Sequence, residues 1–561
     1  MVGRFFSGIL RETRGMHEAA YLLALFALLS QLLALVRDRL LAGTFGAGHT
    51  LDLYYAAFRV PDFLFATVAS LLSLYALLPV LSRLEQEHPD LAGSFLRRTL
   101  LSFFVVMAAV GGIAFVFAPQ LVALAVPGIG AASMPALVML TRILLLQPIL
   151  LGASNILANL TQLRHRFLLY SISPLLYNLG IIMGVVFLYP RFGVVGLGWG
   201  VVMGAVLHMG VQLPFFFGER GKEFLPWRRF FPLIQEVLLL SVPRTLSLSA
   251  GQISLLCIVA IASLLSAGSI SVFSFAWNLQ AVPLTIIGVS YSVAAFPTLS
   301  RLFAGGEHSV FAEHIESALR HMIFWSVPAT ALVIVLRAHI VRAILGAGAF
   351  DWSATRLTAA LLALFILSLV VQSGSLLIAR AYYAAGRTLR PFLWGLIDVA
   401  VSVSSASVLV VLFQHSEFLR ALVESLLRVE DVPGTAVLML ALGLTLGSIA
   451  KFVISFTFFV RDFKLAFRGL GRLLFESGSA AVIGAAAAYA MLRLFGPLLD
   501  TTTALGILVQ GAVAGITGLV ATALILALLK NTELKEVIGA LRRRLKDTGA
   551  IAVEPTDLSA Q

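Results

Sequence analysis

Apolar runs close to 20 residues long recur from one end of this chain to the other, with short polar stretches between them. A helix of that length crosses a hydrocarbon core of ~30 Å, and about fourteen such spans are expected. Short strands of alternating polarity are not seen, so a β-barrel is excluded. The remaining composition agrees. The 561 residues are 59% hydrophobic and 12% charged, with a mean hydropathy of +0.97. A soluble domain is roughly half apolar and a quarter charged. There is too little polar surface here for a cytosolic enzyme or a secreted disulfide scaffold. The expected fold class is an all-α polytopic membrane protein.

The formal charge is +12. In a soluble protein that would suggest nucleic acid. In a membrane protein, Lys and Arg mark cytoplasmic loops. One set of alternate loops holds Arg83, Arg97 and Arg98, then Arg164 and Arg166, then Arg220, Lys222, Arg228 and Arg229. Arg301, then Arg387 and Arg390, then Arg461, Lys464, Arg468 and Arg472 continue it. Arg4, Arg11 and Arg14 at the start, and Arg542, Arg543, Arg544 and Lys546 in the tail, fall on the same side. The opposite loops hold few. Both termini are therefore expected in the cytoplasm, the basic tail is expected at anionic lipid headgroups, and no nucleic-acid partner is expected. The first apolar run continues into Arg37-Asp38-Arg39, which suits an uncleaved first helix better than a signal peptide.

The chain repeats itself. Leu78-Pro79-Val80-Leu81-Ser82-Arg83-Leu84 matches Phe296-Pro297-Thr298-Leu299-Ser300-Arg301-Leu302, and upstream Val60-Pro61 matches Val282-Pro283. Each segment follows an even number of spans, so the repeats run in the same direction, as in parallel-repeat transporters. The expected organisation is a basic N-terminus (1–18), an N-lobe of six spans (19–218), a cytoplasmic linker (219–236), a C-lobe of six spans (237–459), two further spans (460–529) and a cytoplasmic tail (530–561). Prolines inside the spans, Pro148, Pro174, Pro214, Pro243, Pro283 and Pro328, predict kinks.

A charge inside a membrane helix costs at least ~2.5–3.5 kcal/mol at its centre, so its position is a functional hypothesis. Arg37 and Asp38 lie in the second half of span 1, on a polar sector with Ser30 and Gln31; Arg39 is expected to snorkel outward. Asp52 opens span 2, and Arg59 follows on the same stripe. Arg59 either lines a cavity or forms a structural pair with Asp38 or Asp52. Arg244 starts span 7, and Ser247, Ser249, Gln252 and Ser254 continue its polar stripe; Asn278 and Gln280 in span 8 could face the same space. Arg142, Arg380 and Glu476 sit near helix ends, where snorkelling explains them. The interior balance is cationic. Guanidinium bonds bidentately to phosphate oxygens, so the substrate class indicated is a diphosphate or another anion.

Other chemistry is not indicated. There is no Gly-x-x-x-x-Gly-Lys-Ser/Thr phosphate loop and no block large enough for a soluble catalytic domain. The ten histidines are scattered, and His208 suits a helix–helix hydrogen bond better than a metal. The single cysteine, Cys257, allows neither a disulfide within the chain nor a thiol metal site. No cofactor and no metal are expected.

The stretch Val36-Arg37-Asp38-x-Leu40-x-Ala42-x-x-Phe45-Gly46-Ala47-Gly48, then Asp52-x-x-x-Ala56-x-Phe58-Arg59-x-Pro61, resembles the opening of the MurJ/MviN family. Ser249-Ala250-Gly251-Gln252-Ile253, the Phe296–Arg301 segment and Ala379-Arg380-Ala381-Tyr382-Tyr383-Ala384-x-Gly386-Arg387-Thr388-x-x-Pro391 are similar to it as well. The resemblance implies a fourteen-helix inner-membrane flippase of the multidrug/oligosaccharidyl-lipid/polysaccharide exporter superfamily. It implies lipid II, the undecaprenyl-diphosphate-linked peptidoglycan precursor, as substrate, alternating access through a cationic cavity, and a lipid-tail groove on the last two spans. Arg37 and Asp52 match family positions tied to function. Two other family arginines fall on Phe65 and Asn278, the usual Ala-Glu-Gly reads Ala69-Ser70-Leu71, and a span 7 carboxylate that ligates sodium in some members falls on Ile258. A sodium site of that type is therefore not expected. Arg244 is expected to replace one lost charge.

The reading is a lipid II flippase, not an enzyme, with Arg37, Asp38, Asp52, Arg59, Arg244, Gln252 and Asn278 as candidate substrate-binding residues. Membrane lipids and cell-wall synthesis enzymes are its expected partners. A flippase for another polyprenyl-linked glycan, or a related exporter, is the alternative within the superfamily. A non-transporting scaffold of cell-wall synthesis is the alternative of a different class, and it gives no reason to bury Arg37 and Arg59.

Overall fold

The structure, a computed structural model, describes residues 16–72, 74–164, 166–218, 225–463, 469–496 and 503–539. The expectations for Arg4, Arg11, Arg14, His165, Arg220, Lys222, Lys464, Arg468 and the tail cluster Arg542–Lys546 lie outside these described residues.

All regular structure among the described residues is helical. Helix α1 is Met16–Phe45. The second passage is broken into α2 (His49–Ala57), α3 (Arg59–Thr67) and α4 (Leu74–Glu87). Then come α5 (Pro89–Val116), α6 (Ala118–Ala125), α7 (Met134–Leu144), α8 (Leu146–Leu163) and α9 (Phe167–Met183). A π turn, Gly184–Leu188, leads into the single turn α10 (Tyr189–Phe192), then α11 (Val194–Gly210) and α12 (Leu213–Gly218). The long α13 is Trp227–Ser263, so residues 227–236 of the expected linker are its first turns. Next are α14 (Ser269–Leu284), a second π turn, Thr285–Val289, and α15 (Ser290–Ala304). The remainder is α16 (His308–Leu345), α17 (Trp352–Ile366), α18 (Leu369–Ala384), α19 (Leu389–His415), α20 (Glu417–Leu427), α21 (Leu438–Phe463), α22 (Leu470–Phe495) and α23 (Ala504–Leu528).

Prolines set some of the breaks. Proline has no N–H, and its ring clashes with the carbonyl four residues back. Helix α2 ends at Ala57, four before Pro61, and α7 ends at Leu144, four before Pro148. Pro174 and Pro328, expected to kink their spans, lie inside helices that run on without a break.

Ten helices among the described residues are long and apolar enough to cross a membrane, or up to twelve if each bent pair counts as one span. One such pair is α17 and α18, bent by 46°. The expected count of fourteen is not reached by length and hydropathy. The two remaining expected spans are helical. Of these, α11 has only 17 residues. The other, α1, begins with residues whose side chains lie outside the described ones.

The chain divides into two compact units. One holds Met1–Leu279, Ile344–Phe365 and Arg387–Lys451; the other holds Gln280–Ala343, Ile366–Gly386 and Phe452–Gln561. In the first, α9 and α11 pack backbone to backbone. A Cβ on Gly180 would strike Gly204, and one on Gly184 would strike the Gly200 Cα at 2.5 Å. Lipid is as apolar as leucine, so such close van der Waals packing is what holds membrane helices together. A second contact of this unit buries Phe95 of α5 against Phe230 of α13, ring centroids 5.8 Å apart.

In the second unit, α22 and α23 pack in the same manner, with Gly484 against the carbonyl of Gly518. Phe324 of α16, Ala480 of α22 and Leu526 of α23 share one core. Beyond α23, Glu533 pairs with Arg320 at 2.5 Å, and Asn531 donates to Glu476 at 2.7 Å. Arg380 donates to Ser292 at 3.1 Å, so it is held within the protein and does not simply snorkel.

Candidate functional site

The first unit contains a cavity of about 250 Å³. The second half of α1 gives it Arg37; α2 gives Tyr54 and Tyr55; α3 gives Arg59 and Asp62. Gln147 of α8, Tyr177 of α9, Leu255 of α13, and Ser274, Trp277 and Asn278 of α14 close it. The break at Phe58 is what brings Arg59 here, because it restarts the helix with Arg59 and Asp62 one turn apart in its first turns.

Arg37 is engaged. Its Nε and Nη2 donate to Asp38 Oδ1 at 3.0 and 2.8 Å, and its Nη1 donates to Asn178 Oδ1 at 2.9 Å. Asp38 is nearly buried, and its Oδ2 accepts from Asn278 at 3.0 Å. Two buried charges persist in a low dielectric only when paired and hydrogen-bonded, and this pair meets that condition. Arg37 keeps N–H groups beyond those three bonds and lines the cavity.

Arg59 is placed differently. Its Nε donates to the carbonyl of Tyr55, one turn back, at 3.2 Å. It makes no ion pair with any described carboxylate, although Asp62 lines the same cavity. Of the two readings for Arg59, the structure gives the cavity-lining one.

Asp52 is not in this cavity. Its Oδ2 accepts from the Gly268 N–H at 2.6 Å, and its Oδ1 accepts from the Ser271 N–H at 2.8 Å and hydroxyl at 2.7 Å. The carboxylate thus sits on the start of α14, where unsatisfied N–H groups and the helix dipole favour an anion. Its other expected partner, Arg59, is not bonded to it. Arg39, expected to snorkel, donates to the carbonyl of Ile344 in the last turn of α16 at 3.3 Å. Gln252 lies on α13, half-buried, outside the cavity lining. Arg244 is on the same helix, and its side chain lies outside the described residues. Gln280 is buried, with an unpartnered Nε2, in the second unit.

Sequence reasoning passed over Asp62, Gln147, Tyr177 and Asn178. Asp62 carried a signal, being a further charge inside span 2, three residues from Arg59. The others are uncharged polar groups, Gln147 on α8 and Tyr177 and Asn178 on α9, and only the packing brings them to the charged residues. His208 is a helix–helix hydrogen bonder, as expected: its Nδ1 is 2.8 Å from Ser154 Oγ, which also accepts from Gln212 at 2.7 Å. Among the described residues no group of His, Cys, Asp and Glu could hold a metal ion.

The cavity can therefore hold a small anion by Arg59 and the spare donors of Arg37, between aromatic walls. At about 250 Å³ it lies below the ~300–1,000 Å³ of sites for drug-sized ligands. Its size suits a diphosphate and not a disaccharide-peptide.

Comparison with known proteins bears on what that anion is. A family model described as lipid II flippase MurJ matches residues 41–429. The chain is 28% identical over 375 residues to the lipid II flippase MurJ of Burkholderia cenocepacia, covering 64% of this chain and 71% of that protein. It is 26% identical over 375 residues to a probable lipid II flippase MurJ of Thermotoga maritima, covering 67% and 76%. Among solved structures, a lipid II flippase MurJ in an inward closed conformation has the same fold, with TM-score 0.70, 20% identity, and 91% of this chain and 100% of that one covered. An inward-facing multidrug resistance MATE transporter of the MOP superfamily aligns with TM-score 0.63 and 14% identity, over 78% and 94% of the two chains.

Proposed function

The chain belongs to the lipid II flippase MurJ family, and from that premise we propose that its cavity is where the diphosphate of lipid II is held while the molecule is flipped. The observation that carries the reading is Arg59, a cavity-lining guanidinium that makes no salt bridge among the described residues, inside a membrane protein. An intramembrane cation is expensive, and one that lines a cavity is expected to serve a ligand. Arg59 takes the diphosphate oxygens by charge-assisted hydrogen bonds, and Arg37, held in place by Asp38 and Asn178, adds a second set of donors. Asn278 acts through Asp38. Asp52 fixes the start of α14 and thereby the wall that carries Asn278. Gln252 and Arg244 are proposed to extend the polar path along α13.

The transported species is lipid II, the undecaprenyl-linked peptidoglycan precursor, and transport needs no covalent chemistry from the chain. The two six-helix lobes (19–218 and 237–459) alternate access, the headgroup crosses in a polar space and the lipid tail stays at residues 460–529. The site of action is the bacterial inner membrane, with both termini cytoplasmic, supported by the alternation of arginine between loops. Cell-wall synthesis enzymes and membrane lipids are its neighbours there.

Growth of a bacterium depleted of its own lipid II flippase tests this. The chain is expected to restore growth, Arg59→Ala to lose it at equal membrane expression, and Arg59→Lys to restore it in part. Growth with Arg59→Ala equal to wild type would remove Arg59 from the site. Arg244→Ala in the same cells decides whether that residue belongs to the path: full growth excludes it.

A further inference from the structure

The charges at this cavity cancel. Arg37 and Arg59 bring two positive charges, and Asp38 and Asp62 bring two negative ones. The diphosphate of lipid II is a diester with two negative charges near neutrality. Entering a neutral, largely desolvated site, it would leave those charges uncompensated, which a low dielectric penalises heavily. The site needs positive charge when the ligand arrives, and a proton on a carboxylate supplies it.

Asp38 is already engaged on both oxygens. Its Oδ1 holds two bonds from Arg37, and its Oδ2 holds one from Asn278. Among the described residues Asp62 makes no salt bridge, although Arg59 lines the same cavity. Gln147 lines the same cavity. Gln147 is nine-tenths buried, and its Oε1 is an acceptor without a partner. Such an amide can donate Nε2–H to an ionised carboxylate, or accept from a protonated one after turning over. The orphaned oxygen is then used in the protonated state.

We propose that Asp62 is a proton-binding site coupled to the diphosphate: lipid II binds together with one proton, and the ionised Asp62 carboxylate otherwise competes with the diphosphate for Arg59. The proposal rests on the flippase reading and adds a proton bound with the ligand. Linkage makes the effect reciprocal, so lower pH tightens lipid II binding and bound lipid II draws in the proton. The neighbouring groups do not supply an alternative. From α1 comes Arg37, from α2 the phenols Tyr54 and Tyr55, and from α9 the phenol Tyr177, all already in their protonated forms. Helix α6 has no titratable side chain, and Arg142 of α7 donates to the carbonyl of Phe115. Helix α13 lines the cavity with Leu255, and Glu236 on that helix is paired with Arg83 at 2.6 Å.

The test is lipid II binding to the purified full chain in nanodiscs between about pH 6 and 8, a range in which His is the one side chain that ordinarily titrates, with proton uptake followed in weak buffer. Wild type is expected to take up about one proton per lipid II and to lose up to about tenfold in affinity per pH unit. Asp62→Asn is expected to bind at least as tightly at the alkaline end, without pH dependence or proton uptake. Equal uptake in both proteins, or none in wild type, would overturn the proposal while leaving the flippase reading intact. Wild type that binds no lipid II at any pH would remove that reading and the proposal with it.

Discussion

At the scale of single residues, the charges inside the spans do two different jobs. Arg59 faces an open cavity, whereas Asp52 and Arg39 close the ends of other helices. Sequence patterning placed all of these inside or at the edge of spans but could not separate the jobs. A carboxylate on a helix start and one in a cavity look identical until the Gly268–Ser271 turn is seen 216 residues away. The separation is measurable. Asp52→Ala leaves buried donors at Gly268 and Ser271, each worth about 1–3 kcal/mol. Denaturant unfolding of the purified protein is expected to show that loss, while lipid II affinity of the folded protein falls less than it does in Arg59→Ala.

Outside the membrane, the Arg356 guanidinium holds the Asp431 carboxyl below its ordinary value. That contribution to stability is fully present above the ordinary carboxylate range and is lost as pH falls through the lowered folded value. Asp431 is exposed, so the effect is small and screened by salt. The melting temperature of Asp431→Asn is expected to lie slightly below wild type near neutrality and to meet it in acid.

At the scale of elements, glycine spacing decides which helices can touch. Gly180 and Gly184 on one side of the α9–α11 contact face Gly204 and Gly200 on the other, and no side chain fits between the backbones. Gly210, on the same helix as Gly200, has open space around its Cα. Gly184→Leu and Gly200→Leu are expected to abolish a monodisperse, folded product in size-exclusion chromatography. Gly210→Leu is expected to leave it unchanged. If all three behave alike, the close contact is not what holds these helices. The proline breaks belong to this scale too. The pattern predicted kinks at six prolines, but a helix stops four residues before a proline at only some of the prolines in this chain. Pro61 and Pro148 mark such stops, and Pro174 and Pro328 do not.

At the scale of the whole molecule, hydropathy alone identified an all-helical membrane protein, because each span must be apolar whatever it packs against. Its count of fourteen is not confirmed by length and hydropathy, because a passage such as α11 has only 17 residues. Arg37, Asp38 and Arg59 of the candidate site were legible for the same reason, since charges stand out in a chain that is only 12% charged, whereas Asp62 was passed over. The uncharged half was not legible, since Tyr177, Asn178 and Gln147 look like any polar residue in a span until the helices are assembled. The +12 thus separates into many charges in the polar stretches between spans and a few at the cavity, among them the Arg59 guanidinium, which makes no salt bridge among the described residues.

That guanidinium is where the account is most exposed. Outer-leaflet lipid II can be counted in cells depleted of their own flippase and carrying either the wild-type chain or Arg59→Ala at matched membrane levels. The prediction is that the wild-type chain restores lipid II to the outer leaflet and that Arg59→Ala lowers its rate of appearance by about tenfold or more, the weight of one lost charge-assisted contact. Equal rates for the two proteins would contradict it.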